Sequence, residues 1–248
     1  MVHRLWKVND AAWIGKVRNA MADKYVVIAD GHHRYETALA YHERTGAAGE
    51  YAMMTFVPME DPGLVILPIH RVVQDNAKDK ERSGWKRVKD GLQENFDLER
   101  CRQFHMDRIV AELFARGKEA VTFWVKRRSS ESYWMTLKEG AGLRGKGKER
   151  HSDKWSALGV SILQSLVLKK IFKLTPESIQ KGERIRCVKD PKEALEALEC
   201  LSDFDYLFLL NPLQIDNVND VVSQGERMPQ KSTNFHPKVY SGFVLQKL

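Results

Sequence analysis

The spacing of apolar and polar positions changes period several times along the chain, and each change marks an element. Tyr25-Val26-Val27-Ile28-Ala29 is a continuous apolar run, the pattern of a strand buried on both faces, and it stops at Asp30-Gly31. From His32 the period becomes helical: Tyr35, Ala38, Leu39 and His42 fall at i, i+3, i+4 and i+7, which predicts a helix ending near Thr45-Gly46. Ahead of this pair, Trp6 to Val8 reads as a short strand, and Asp10 as the cap of a helix whose stripe is Trp13, Ile14 and Val17. Residues 51–57 and 64–69 read as two more strands, with turn residues at 59–63 between them.

Beyond residue 77 the pattern is again mixed. Helices are predicted around Trp85, Val88 and Leu92 and around Ile109, Val110, Leu113 and Phe114, and residues 120–126 and 132–137 flank a polar turn as a β-hairpin. Leu158, Ile162, Leu163, Leu166, Val167, Ile171 and Phe172 predict an amphipathic helix. A strand over 185–188, a helix capped by Asp190-Pro191, a strand over 206–210 and a helix over about 213–223 follow, then a polar loop and a strand over 239–246. The expected fold class is α/β to α+β, a mixed β-sheet flanked by helices. Two parts are expected: residues 1–76 around the strand, Asp-Gly-His-His-Arg and helix, and residues 77–248, a mixed α/β remainder closing with the Met228–Lys238 loop. Residues 139–150, with four glycines, are the candidate mobile linker.

Composition narrows the class. The 248 residues are 43% apolar and 29% charged, so disordered and collagen-like chains are excluded, and no apolar run approaches a membrane span. The first residues lack the apolar core of a secretory signal. Three cysteines without a CxxC spacing argue against a disulfide framework and a thiolate zinc site, so a cytoplasmic location is expected. A formal charge of +7 favours anionic ligands. The basic stretches 78–89 and 138–154 lack interleaved aromatic residues and read as solvated surface, which argues against nucleic acid as a partner.

The candidate chemistry lies where the period changes. At a strand-to-helix corner the first amide groups of the helix are free, the helix dipole adds partial positive charge, and Gly31 admits a ligand close to the backbone. Arg34 can grip a phosphate with its fork, and His32 and His33 can donate or accept a proton beside it. Asp30 can cap the helix, hold a metal ion or activate a hydroxyl. Lys231, Ser232, Thr233 and Lys238 place ammonium and hydroxyl groups in one loop between Pro229 and Pro237, able to close over a phosphate or a carboxylate. His70-Arg71, at the end of a strand, is a third candidate, because such positions line clefts in α/β proteins. A zinc site is the weaker idea, since His32 and His33 are adjacent and His42 and His70 lack a ligand spacing.

The run Ile28-Ala29-Asp30-Gly31-His32-His33-Arg34-Tyr35-Glu36-Thr37-Ala38 resembles the hallmark of the domain-of-unknown-function 1015 family of bacterial and archaeal proteins. Residues 67–73, 160–164 and 228–238 resemble that family's other blocks in the same order. The Asp-Gly-His-His-Arg corner is in turn similar to that of the ParB and sulfiredoxin-like superfamily, whose members bind nucleotide phosphates there and include free-serine kinases. The resemblance implies a nucleotide-dependent phosphotransferase acting on a small hydroxylated metabolite such as an amino acid, with Mg2+ and ATP, ADP or another nucleotide. It implies Gly31, His32, His33 and Arg34 as the phosphate cradle and Asp30 as a base or metal ligand; His33 is the second catalytic candidate, and His70, Arg71, Lys231, Ser232, Thr233 and Lys238 are the further candidates for phosphate or nucleotide binding. A non-catalytic nucleotide- or phosphate-binding module, an inactive truncated homologue, and a ParB-like nucleic-acid-associated protein are the alternatives. Two departures bear on this. Family members carry a segment ahead of the Trp-containing strand, so such a segment is expected in trans, and Gly159 stands where the family block usually shows an acidic residue.

Overall fold

The computed structural model describes residues 3–46, 50–76, 82–143, 151–240 and 242–245. The chain divides into two compact units, the first made of residues 1–64 and 237–248, the second of residues 65–236. The linker candidate at 139–150 lies mostly outside the described residues, as does the start of the basic stretch at 78–89.

In the first unit, α1 (Ala11–Met21) starts where expected, because Asp10 Oδ1 accepts the amides of Ala12 at 2.8 Å and Trp13 at 3.2 Å. Helix α2 (His32–Thr45) likewise begins at the change of period and stops before Gly46, which has a positive φ of 65°. The predicted strands over 6–8, 25–29 and 51–57 form no β-ladder among the described residues, and neither do residues 239–240 and 242–245. Their residue types favour extended backbone, but a strand exists only when a neighbour takes its amides and carbonyls. Trp6, Trp13, Tyr25 and Phe56 are correspondingly exposed.

The second unit holds the sheet. Its elements are β1 (Val65–Ile66), β2 (His70–Val73), α3 (Arg82–Gln93), β3 (Phe96–Cys101), α4 (Met106–Gly117), β4 (Thr122–Arg127) and β5 (Ser132–Leu137). They continue with α5 (Asp153–Ala157), α6 (Gly159–Ile162), α7 (Pro176–Lys181), β6 (Ile185–Val188), α8 (Pro191–Cys200), β7 (Tyr206–Leu209), α9 (Ile215–Val222) and β8 (Phe235–His236). Six strands form one open sheet in the order β3-β5-β4-β7-β2-β6, every neighbouring pair antiparallel. Of the predicted strand over 64–69, Val65–Ile66 forms a two-stranded ribbon, β1 against β8, with Val65 opposite His236.

Both faces of the sheet are covered. Val73, Phe123, Val125, Met135, Tyr206 and Phe208 meet Val88 and Leu92 of α3 and the segment from Trp155 to Phe172. Val72, Trp124, Trp134, Leu207 and Leu209 meet Ile109 and Leu113 of α4 and Ala194 and Leu198 of α8. Burial on both sides explains why β4 and β7 read as nearly unbroken apolar runs although their sheet is antiparallel. Strand β3 escaped the pattern because it is an edge: Glu99 and Arg100 stay outside, paired with Arg116 and Glu131 at 2.7 and 2.6 Å. The predicted helix around 158–172 breaks at extended Leu158, and α6 runs on as a wide π-helical stretch, Leu163–Lys169. Val160, Ile162, Leu163, Leu166, Val167 and Leu168 are all buried, so this segment packs on more than one side and is not amphipathic. No helix among the described residues is long and apolar enough to cross a membrane.

Candidate functional site

In the first unit the corner at residues 30–34 forms the turn that leads into α2. Gly31 is the N-cap of α2, in the left-handed region at φ 81°, and no side chain caps the helix. Asp30 turns away from that task. Its Oδ1 accepts the Gly31 amide at 2.9 Å and its Oδ2 accepts from Lys238 Nζ at 2.9 Å. The hydrogen bond from Lys238 holds the Asp30 carboxyl below the usual carboxylate range against the opposing effect of partial burial, and Arg34 adds to the lowering. Arg34 folds back over the glycine, so that a Cβ at Gly31 would lie 2.9 Å from its Nε and Nη2. His32 and His33 are exposed, and His33 Nδ1 faces Glu36 at 3.4 Å, not Asp30. The first turn of α2 has no side-chain cap, and Arg34 and Lys238 both act on the one ionised carboxylate, Asp30. Lys238 also borders a cavity of about 440 Å³ in the same unit, lined by His3, Leu5, Val57, Tyr240 and Phe243.

The remaining sequence candidates fall in the second unit. His70 and Arg71 are neighbours on β2, and the two-residue period of a strand sends them to opposite faces of the sheet. His70, 2% exposed, accepts the Leu210 amide on Nδ1 at 3.2 Å, while its Nε2 has no partner. Nδ1 is therefore the unprotonated nitrogen, and burial, with Arg71 assisting, pushes the imidazole down to about 4.

Arg71, also 2% exposed, donates from Nη1 to the carbonyls of Ile69 at 2.6 Å and His70 at 3.5 Å, and from Nη2 to that of Lys231 at 2.7 Å. It lines a cavity of about 340 Å³ with Thr122, Lys154, Asn211, Asn217 and Ser232. Lys231 takes a positive φ of 54° there, its carbonyl tied to Arg71. Ser232 Oγ is buried without a partner, whereas Thr233 is half-buried and does not line the cavity.

The structure thus joins Asp30, Gly31, Arg34 and Lys238 in one unit and Arg71, Lys231 and Ser232 in the other. Lys154, Asn211 and Asn217 were not anticipated. Asn211-Pro212 directly after a predicted strand was the available signal, since strand ends carry ligand groups. Among the described residues no group of three or more His, Cys, Asp or Glu side chains is placed to hold a metal ion.

Comparison with known proteins places these features in a wider setting. No curated protein matches the chain. Among solved structures it is similar to a conserved hypothetical protein from Pyrococcus furiosus, at 16% identity and a TM-score of 0.47, over 86% of this chain and 70% of that one. It is also similar to a free serine kinase in complex with AMP, at 15% identity and a TM-score of 0.46, over 90% of this chain and 78% of that one. The family described as Protein of unknown function (DUF1015) matches residues 1–164, well over half of the sequence, and the chain belongs to that family.

Proposed function

We propose that the protein binds the phosphates of a nucleotide at the corner of residues 30–34 and transfers a phosphoryl group to a small hydroxylated metabolite. One observation carries the reading: the uncapped N-terminus of α2 opens beside Gly31, with Arg34 and Lys238 drawn in around Asp30. Phosphoryl transfer asks a protein chiefly for positioning and charge neutralisation, which backbone amides, a guanidinium and an ammonium supply. The neighbouring cavity, with Tyr240 and Phe243 in its wall, offers apolar surface to a base. The similarity of the corner to that of the ParB and sulfiredoxin-like superfamily supports the same reading.

Asp30, kept ionised by Lys238, is a weak base at neutral pH and a good acceptor. Its role in this reading is to orient the acceptor hydroxyl or to share a magnesium ion that arrives with the nucleotide, since such ions bind through one or two carboxylates and the substrate phosphates. When bound, the ion would supply charge neutralisation. A nucleotide-binding module without turnover is the competing reading, favoured by the Asp30–Lys238 ion pair, which already occupies the carboxylate.

Thermal unfolding against ATP, ADP, CTP, pyrophosphate and phosphate, each with and without magnesium, tests the site. A ligand at a hundredfold over its Kd stabilises by about 2.7 kcal/mol, and Arg34→Ala should remove most of that gain. No shift with any of these ligands overturns the reading. Product formation that Asp30→Asn abolishes, with nucleotide affinity kept, separates the kinase from the binding module; binding with no product at any metal concentration selects the module.

A further inference from the structure

The cavity of the second unit contains a charge that the protein leaves uncompensated. A guanidinium stays protonated in any fold, and Arg71 is 2% exposed. Its neighbours are the carbonyl oxygens of Ile69, His70 and Lys231, which satisfy donors but carry no net charge. No carboxylate among the described residues forms an ion pair with it, although buried charges are ordinarily paired. In the same cavity Ser232, 7% exposed, has a hydroxyl with no partner. A buried cation and a buried unmet hydroxyl in one cavity call for an anion that accepts hydrogen bonds. The left-handed backbone of Lys231, directly before Ser232, adds local strain, a feature that concentrates at ligand sites.

The remaining lining restricts the charge and shape of that anion. Lys154 and Asp220 pair with each other at 2.8 Å, so they contribute no net charge; Arg71 is the buried charge, and the exposed Lys231 also lines the cavity. Phe123, Leu158, Val160 and Leu213 form apolar wall, and a volume of about 340 Å³ suits a small molecule. We propose that this cavity is a binding site for a small organic monocarboxylate, its carboxylate held by Arg71 and the Ser232 hydroxyl, its body lying on the apolar wall. The site lies within the second unit, and the proposal does not depend on the nucleotide reading of residues 30–34.

The experiment measures thermal unfolding of the full chain with acetate, lactate and L-alanine as probes, and with sodium chloride at matched ionic strength. Inorganic phosphate is the competing anion. At least one carboxylate should raise the Tm in a saturable way that sodium chloride does not reproduce. Ser232→Ala is the informative variant, because the hydroxyl it removes has no partner: its Tm without ligand should equal or exceed that of the wild type. Its carboxylate affinity should fall by about tenfold or more, as expected for a hydrogen bond to a charged group. Arg71→Lys, read only if its far-ultraviolet spectrum is native, should weaken binding further. Three results would each overturn the proposal: no saturable rise with any of the three carboxylates, a rise that is undiminished in Ser232→Ala, or saturation by phosphate alone. The nucleotide experiment with Arg34→Ala fails or succeeds separately.

Discussion

His70 should make the second unit sensitive to acid, and His70→Asn should remove that sensitivity. The imidazole is held at about 4 in the fold, against 6.5 when free, chiefly because burial penalises the cation; Arg71 adds repulsion and Asp190 opposes it. Its folded pKa is depressed, so the unfolded chain takes up the proton first. The stabilisation is present in full above 6.5 and drains away as the pH falls towards 4. One unit of pKa is about 1.4 kcal/mol, so the histidine should cost the fold about 2 kcal/mol between pH 7 and pH 5, and about 3 kcal/mol by pH 4. Asparagine can present Oδ1 where Nδ1 accepts the Leu210 amide, and it has no proton to gain. Urea unfolding of both proteins at pH 7 and pH 5 gives the comparison, with all other titrating groups common to the two. The wild type should lose about 2 kcal/mol more than the variant over that interval. Parallel losses would show that His70 ionises normally, and would refute the premise that the fold keeps it dry and neutral.

Three further outcomes are expected. A Cβ at Gly117 would collide with the Asn211 side chain, whose Nδ2 donates to the Leu113 carbonyl at 3.0 Å; Gly117→Ala should displace that amide and cost about 1–3 kcal/mol, read from urea midpoints. Leu207, fully buried on the strand between β4 and β2, should lose about 2–5 kcal/mol as Leu207→Ala, and a cost below about 1 kcal/mol would deny it a place in the core. Gly31→Ala should cost about 1 kcal/mol for a left-handed alanine, and by displacing Arg34 it should weaken phosphate binding; calorimetric titration with pyrophosphate checks this, and unchanged affinity would remove Arg34 from the cradle.

Much of the candidate chemistry was legible residue by residue and illegible in its grouping. Asp30, Gly31 and Arg34 sit within five positions of one another, so the turn that unites them is a local matter. Lys238 lies 208 residues from Asp30, and its ammonium reaches that carboxylate only through the fold. His70 and Arg71 look like a joint feature of one strand end, yet the pleat separates them: one faces the helices α4 and α8, the other the cavity. The loop at 228–238 reads as a single phosphate clasp, but Lys231 and Ser232 belong to the second unit and Lys238 to the first. Asp30 has the residue type and position of a helix cap, and the nearby ammonium competes for its carboxylate.

By itself the sequence determined the helices with clear caps and the strands buried on both faces. Asp10 starts α1, Asp190-Pro191 starts α8, and the runs around Trp124 and Phe208 become β4 and β7. These features depend on hydrogen bonds and periodicities a few residues long, which any local reading can reach. Tertiary structure alone decided which extended segments became strands, since Tyr25 to Ala29 has every local mark of one and no ladder among the described residues, whereas charged Phe96–Cys101 has a partner and forms an edge. It also decided that Arg71 would be buried with no carboxylate paired to it among the described residues, lining the same cavity as an unpartnered Ser232. Strand pairing and burial are set by groups distant in the chain, and the free energy that fixes them comes from contacts that no local pattern encodes.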